Sequence, residues 1–216
     1  NSTALVDRDY VVKIYRKLES GTNPEIEVGR FLTEVAHFAN SPAFLGSVEL
    51  IEGERRSAVG IVHACLQNQG DAWSVTAAYL DRYVEQQRLP ASADADIESE
   101  DQTSYLLHMA QAGRRVAEMH VALASRDDIT DFRPEPVTDD DLAAWTDDIV
   151  TRAERIARDL ANMARPAPDR ALIESFAVAC ANLRPRLQRL TRHATTIRKI
   201  RHHGDLHLGQ MLIVKD

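Results

Sequence analysis

The chain has few of the features that would place it quickly. Only two cysteines, Cys65 and Cys180, stand far apart in 216 residues. That excludes a disulfide framework and fits reduced, buried thiols in a cytoplasmic protein. Basic excess is absent too: the formal net charge is −7, the wrong sign for a nucleic-acid partner. No apolar run approaches the roughly 20 residues needed to span a bilayer, and the first ten residues, NSTALVDRDY, resemble neither a signal nor a transit peptide. Aromatics are scarce at 6%, leaving little with which to build a cage for a quaternary ammonium group. What remains is 44% apolar and 27% charged, the balance of a globular chain with a core.

The densest information lies in RHHGDLHLGQMLIV, Arg201 to Val214. An amide, Gln210, follows Asp205 by five positions, and an apolar run comes directly after. This is the layout H-x-D-x-x-x-x-N of a phosphoryl-transfer loop, with Gln in place of Asn. The carboxylate would orient an acceptor hydroxyl and take its proton, and the amide oxygen would reach a magnesium ion on the nucleotide phosphates. A metal cluster of His202, His203, Asp205 and His207 is the rival reading. It is disfavoured because consecutive loop residues rarely converge on one ion. His203 is expected to hold the loop through backbone contacts, and His202 to be an exposed neighbour.

Such a loop requires a lysine on an earlier strand and a glutamate on the next helix. Tyr10–Tyr15 (YVVKIY) reads as a strand interrupted only by Lys13. Asn23 and Pro24 read as the cap and first position of a helix reaching about Phe38, with Glu25 and Glu27 in its first turns. Blander explanations are an aggregation-blocking edge-strand lysine and acids simply favoured at a helix N-terminus. Phe44–Ile51 and Ser57–Leu66 read as a hairpin closed by Glu52-Gly53-Glu54-Arg55.

Residues 1–67 thus form a strand-rich part, 68–71 a polar hinge, and 72–216 a mostly helical part, in which Asp71 caps a helix from Ala72 to Gln87. The acidic stretch Pro90–Asp101 reads as a solvated loop. Three long helices are expected. Ser104–Ala124 carries an apolar face of Leu106, Met109, Ala110, Gly113, Val116, Ala117 and His120. Thr138–Met163, capped by Thr138, carries Leu142, Trp145, Ile149, Ala153, Ile156 and Leu160. Asp169–Ala194 is kinked at Pro185. Strands first and helices after give an α+β fold of two lobes.

VVKIYRKLESGTNPEIEVGRFLTE, SPAFLGSVELIEGERRSAVGIVHACLQNQGDAW and HHGDLHLGQMLIV closely resemble maltokinases, in particular the maltokinase portion of trehalose synthase–maltokinase fusions. These are relatives of aminoglycoside phosphotransferases. The resemblance implies a protein-kinase-like fold and transfer of the ATP γ-phosphoryl group to the anomeric hydroxyl of maltose, in trehalose and glycogen metabolism. It makes Lys13 the phosphate-binding lysine, with Glu27 as first choice of partner and Glu25 as second. Ser2 and Thr3 become the end of the phosphate-covering loop, and the strand from His63 through Cys65 to Gln67 the adenine-facing hinge. Asp205 becomes the catalytic base and Gln210 a magnesium ligand; a fused or associated trehalose synthase is the implied partner. Family members also carry Asp-Phe-Glu-Gly-Glu-Pro, with the main magnesium aspartate, a few residues past Asp216, and an N-terminal cap before Asn1. The chain is therefore expected to be a piece of a longer enzyme, inactive by itself. The alternatives are a small-molecule kinase of the aminoglycoside or choline type, and a non-catalytic kinase-like module attached to trehalose synthase.

Overall fold

A computed structural model describes residues 1–88, 100–163, 167–191 and 197–214. The expectations for Pro90–Ser99, the end of the last helix at Arg192–Ala194, and Asp216 lie outside these residues. The chain divides into two compact units, 1–133 with 201–216, and 134–200. The expected lobe boundary at Gln67 falls inside the first unit.

The first unit opens with a four-stranded antiparallel sheet in the order β1-β2-β4-β3. Its strands are β1 (Ser2–Val6), β2 (Tyr10–Ile14), β3 (Phe44–Glu52) and β4 (Arg55–Ala64). β1 was not anticipated. It pairs with β2 across a tight turn in which Asp7 and Arg8 take positive φ, the twist that suits a two-strand connection. The β3–β4 hairpin forms as expected, with Gly53 at φ 63° in its turn. Because β2 lies between β1 and β4, Lys13 is an interior residue opposite Thr3 and Ile61, and the edge-strand explanation falls. Gly60 permits this pairing: a Cβ there would stand 2.8 Å from the Lys13 carbonyl oxygen.

Helix α1 (Pro24–Arg30) starts at Asn23, whose Oδ1 accepts from the backbone N–H groups of Glu25 and Ile26 at 3.0 and 3.3 Å. It continues as a π-helical turn, Phe31–Val35, and ends short of Phe38, where His37 adopts positive φ. Ile26, Val28, Phe31 and Leu32 are buried. Val28, Phe31 and Leu32 join Met119, Leu123 and Phe132 in one core, in which the Phe31 and Phe132 rings stack at 3.7 Å.

Two helices complete the unit, α2 (Ala72–Arg88) and α3 (Glu100–Leu123). Asp71 caps α2 as expected, accepting from Ser74 N–H at 2.8 Å. α3 starts earlier than expected, so Asp101 is helical and holds Arg82 through two hydrogen bonds of 3.0 Å. Its inward line also differs, running through Tyr105, Met109, Val116, Met119 and Leu123, while Leu106, Ala110, Gly113 and Ala117 are exposed. α3 has apolar residues on more than one side, so periodicity alone leaves its rotation open.

The second unit contains α4 (Asp139–Ala161), α5 (Ala167–Ala181) and α6 (Leu183–Thr191), with a two-residue pairing of β5 (Glu135–Pro136) and β6 (Arg198–Lys199). The expected single last helix breaks at Asn182, before Pro185. The proline then occupies the first turn of α6, where a missing N–H costs nothing. α4 turns Thr146 and Val150 inward and leaves Trp145, Ile149 and Ile156 nearly half exposed. Leu142, Ala153 and Leu160 of the expected face are half-buried, while Thr146 and Val150 take the inward places expected of Trp145 and Ile149. Cys180 is buried as expected, whereas Cys65 is only partly covered.

Candidate active site

The site grows from three segments of the first unit. The first is Lys13 on β2. Its Nζ meets Glu25 Oε2 at 2.7 Å, and the same oxygen accepts from the Tyr15 hydroxyl at 3.0 Å. Residues 13 and 15 project from one face of the strand, so Tyr15 sits beside the lysine, with the ammonium 5.8 Å from its ring centroid. Burial, reinforced by the Glu25 charge and hydrogen bond, pushes the Tyr15 hydroxyl pKa well above its ordinary value. It therefore stays a hydrogen-bond donor, and the carboxylate is clamped between an ammonium and a phenol.

The first choice of lysine partner is thereby corrected: Glu25, not Glu27, takes Lys13. Residues two apart on a helix point about 200° apart, so only one of the two acids can face β2. Ile26 packs with Tyr15 and Ile61 of the sheet and Val28 into the core of Met119 and Phe132, and in that rotation Glu25 is the acid that meets Lys13. Glu27 instead pairs with Arg201, immediately ahead of the HHGD loop. Sequence reasoning missed both Tyr15 and Arg201. The strand's two-residue period could have signalled Tyr15; nothing in the sequence ties Arg201 to residue 27.

The second segment is the loop itself. Asp205 is exposed, and its Oδ2 accepts from Gln210 Nε2 at 3.4 Å. The amide therefore meets the carboxylate through its nitrogen, which leaves Oε1 as the donor atom suited to a hard cation. His203 Nδ1 accepts from the Asp205 backbone N–H at 3.4 Å, the loop-holding role expected of it, and His202 is exposed. His207 caps the short 3-10 turn Leu208–Gln210 by accepting from Gly209 N–H at 3.1 Å. A Cβ on residue 209 would stand 3.1 Å from that imidazole, a tight contact that the exposed ring would have to relieve by a few tenths of an ångström. Leu206, next to Asp205, packs against the core containing Val28, Phe31 and Leu32.

The third segment is the hinge. The apolar run after the loop pairs with it: Ala72 N–H donates to Met211 O and Gln69 N–H to Ile213 O, both at 2.8 Å, and Ile213 N–H donates to Gly70 O at 2.9 Å. Cys65 is one of the residues expected to offer backbone groups to adenine. Its N–H already donates to Asp9 O at 2.7 Å, so that group cannot serve a base. Gln67 is exposed beyond the strand end. His63 lies on the sheet face toward α1, with its ring 3.3 Å from a Cβ position on Gly29. Burial, opposed in part by the nearby Glu25 charge, lowers the imidazole pKa, and its Nδ1 is buried without a hydrogen-bond partner among the described residues. Its side chain packs against α1 at Gly29 and edge-on to the Phe44 ring.

Ser2 and Thr3 need a second correction. They are strand residues of β1, paired with Ile14 and Lys13, not loop residues, because the connection between the two strands is the tight turn at residues 7–9. Ser2 Oγ accepts from Arg16 Nε and Nη2 at 3.2 and 3.1 Å. Thr3 stands opposite the lysine.

Among the described residues no helix is long and apolar enough to cross a membrane. No protein-family model matches the sequence. Solved structures do match. A glucosamine kinase in crystal form B superposes over 99% of this chain with a TM-score of 0.67 at 24% identity. Crystal form A gives 0.62 at the same identity and coverage. A glucosamine kinase in complex with glucosamine, ADP and inorganic phosphate gives 0.65 over 96% of the chain, again at 24% identity. The chain spans 47%, 46% and 44% of those structures, less than half of their length. At this identity the likeness establishes the fold alone: a mixed α and β chain with an antiparallel sheet and six α-helices among the described residues, laid out as in part of the matched structures.

Proposed function

We propose that this chain is the nucleotide-binding and loop-bearing part of an ATP-dependent sugar kinase, with the anomeric hydroxyl of maltose as acceptor. The observation that carries this reading is the convergence on α1. Glu25 holds the strand lysine, and Glu27 holds the segment that leads into Asp205. A lysine and a carboxylate loop 192 positions apart in the sequence are thereby tied to one short helix, the arrangement that phosphoryl transfer requires.

In the reaction, the acceptor oxygen attacks the γ-phosphorus, the bond from that phosphorus to the β–γ bridging oxygen breaks, and ADP leaves. Asp205 orients the acceptor hydroxyl and takes its proton. Lys13, kept straight by Glu25 and Tyr15, neutralises the phosphates from the sheet side. Gln210 Oε1 would give a magnesium ion one hard oxygen, and the ion would supply charge neutralisation at the phosphates. The donor set fits this part, because Nε2 is already spent on Asp205 and fixes the amide's orientation. Among His63, Cys65 and Gln67, we assign the adenine contact to the backbone beyond Cys65, whose own N–H is engaged. Thr3, opposite Lys13, is the better placed of the two β1 residues to approach the phosphates. The sequence resemblance further supports association with a trehalose synthase.

One finding favours a second reading. Each of the matched structures named above is a glucosamine kinase, which supports an amino sugar as acceptor. The experiment that separates the two is acceptor-dependent ADP release by the intact protein with maltose, glucosamine, glucose and an aminoglycoside. Maltose is expected to be the best substrate. A preference for glucosamine would replace the acceptor and keep the mechanism; a preference for the aminoglycoside would overturn the assignment to sugar kinases.

A further inference from the structure

We infer that Arg201 is a positioning residue: through Glu27 it fixes the Asp205 loop to the same helix that orients Lys13. The inference rests on the phosphoryl-transfer reading above and adds to it a residue outside the lysine, acid and amide set.

Two independent contacts support it. Glu27 is the more enclosed of the two acids, its side chain only 14% exposed, against 36% for Glu25. A carboxylate at that depth needs a counter-charge, and the Arg201 guanidinium supplies it from 174 residues away in sequence. On the far side of Asp205, Leu206 packs against the core that holds Val28, Phe31 and Leu32 of α1 and its π-helical continuation. The loop is thus pinned to one element at residue 201 by charge and at residue 206 by burial, with the catalytic carboxylate between. Asp205 itself is exposed, and among the described residues its side chain meets the loop only through Gln210 at 3.4 Å. With His203 and the hinge pairing of Met211 and Ile213 holding the loop's own shape, the two flanking anchors are what tie it to α1. α1 cannot yield freely, since its first turn is clamped by Lys13 and Tyr15 and its last turns by the buried Phe31 and Leu32.

The test uses the intact protein and three variants, Arg201→Met, Glu27→Gln and Arg201→Lys. Two readouts are taken: steady-state kinetics with ATP and the best sugar acceptor, and amide hydrogen exchange resolved by peptide. Arg201→Met and Glu27→Gln should each lower kcat by about 10- to 100-fold, the scale of a sub-ångström to ångström misplacement of a reacting group. The KM for ATP should stay within about threefold, because Lys13 and Glu25 are untouched. Peptides covering 202–210 should exchange about tenfold faster, while those covering α1 keep their protection. Arg201→Lys, which can still donate to the single carboxylate oxygen, should recover most of the lost turnover. Unchanged loop exchange in Arg201→Met and Glu27→Gln would overturn the inference. So would an equal rise in exchange across α1 and the loop, or kcat and KM moving together, since each marks a general loss of structure. An inactive wild-type protein would instead sink the kinase reading, and the exchange data would still report whether the anchor exists.

Discussion

Helices α1 and α4 begin with the same local signature, a polar cap followed by acids in the first turn, yet their carboxylates serve different ends. In α4 the Asp141 side chain turns back on its own cap, accepting from Thr138 N–H at 2.9 Å and from Thr138 Oγ1 at 2.8 Å, with Lys199 at 2.9 Å as an added partner. In α1 the cap is satisfied by Asn23 alone, and the acids are released to reach Lys13 and Arg201. An acid at a helix start is favoured by the dipole in both. Its position decides whether it can close a capping box, since Asp141 is third after its cap whereas Ile26 holds that place in α1; the surrounding strands and loop decide what the freed acids of α1 meet.

The contrast can be broken most forcefully at the group α1 serves. Asp205→Ala in the intact protein should lower turnover by on the order of 10² to 10⁴, the range for removal of a positioned base. Nucleotide affinity, measured by calorimetry, should barely move. Retention of most activity would remove the loop from the mechanism.

Next in size is Glu25→Gln, which leaves Lys13 without its carboxylate. The KM for ATP should rise on the order of tenfold, equivalent to about 1.4 kcal/mol. The matching change in α4, Asp141→Asn, should leave that KM unchanged. Equal kinetic effects from the two substitutions would erase the distinction drawn between the helices.

The smallest effect belongs to the capping box. Thr138→Ala should cost about 1 kcal/mol of stability, read by denaturant unfolding, with no change in kinetics. Its pH dependence has a defined sign. The Thr138 backbone N–H, then Lys199 and the Thr138 hydroxyl, hold the Asp141 pKa down to about 2, below its ordinary 3.8. The contribution is therefore complete above pH 3.8 and lost as the pH falls from there through about 2. Asp141→Asn should flatten the stability profile in that window, whereas Thr138→Ala, which keeps the backbone N–H, should flatten it only in part; an unaltered acid profile in Asp141→Asn would show that this carboxylate does not carry the pH dependence.

Much of this was legible without coordinates. Asn23-Pro24, Asp71 and Thr138 marked helix starts correctly because capping is a transaction among four neighbouring residues. Lys13 stood out because a cation interrupting a β-branched run needs a reason. The five-residue offset from Asp205 to Gln210 survived as a direct contact because it spans a single tight turn. Other features were not legible. β1 escaped notice because STALV is too short and mixed to read as a strand before its partner is known. The inward faces of α3 and α4 were misjudged where apolar residues cover more than one side. Trp145 and Ile149 fit the helical period as well as Thr146 and Val150 do, and packing against the neighbouring helices chose the second pair.

By itself the sequence determined the element types, their caps and hairpin turn, and the chemical inventory of lysine, carboxylate and amide, because each of these depends on residues within a few positions of one another. The tertiary structure alone decided that Glu25 rather than Glu27 meets Lys13, that Tyr15 clamps the same oxygen, that the Cys65 N–H is already engaged, and that Arg201 reaches Glu27. The Cys65 contact extends the β2–β4 pairing; the contacts of Glu25 and Glu27 hinge on the rotation of α1 about its axis. That rotation is set by how Ile26, Val28, Phe31 and Leu32 sink into cores assembled from residues as distant as Phe44, Ile61, Met119 and Phe132.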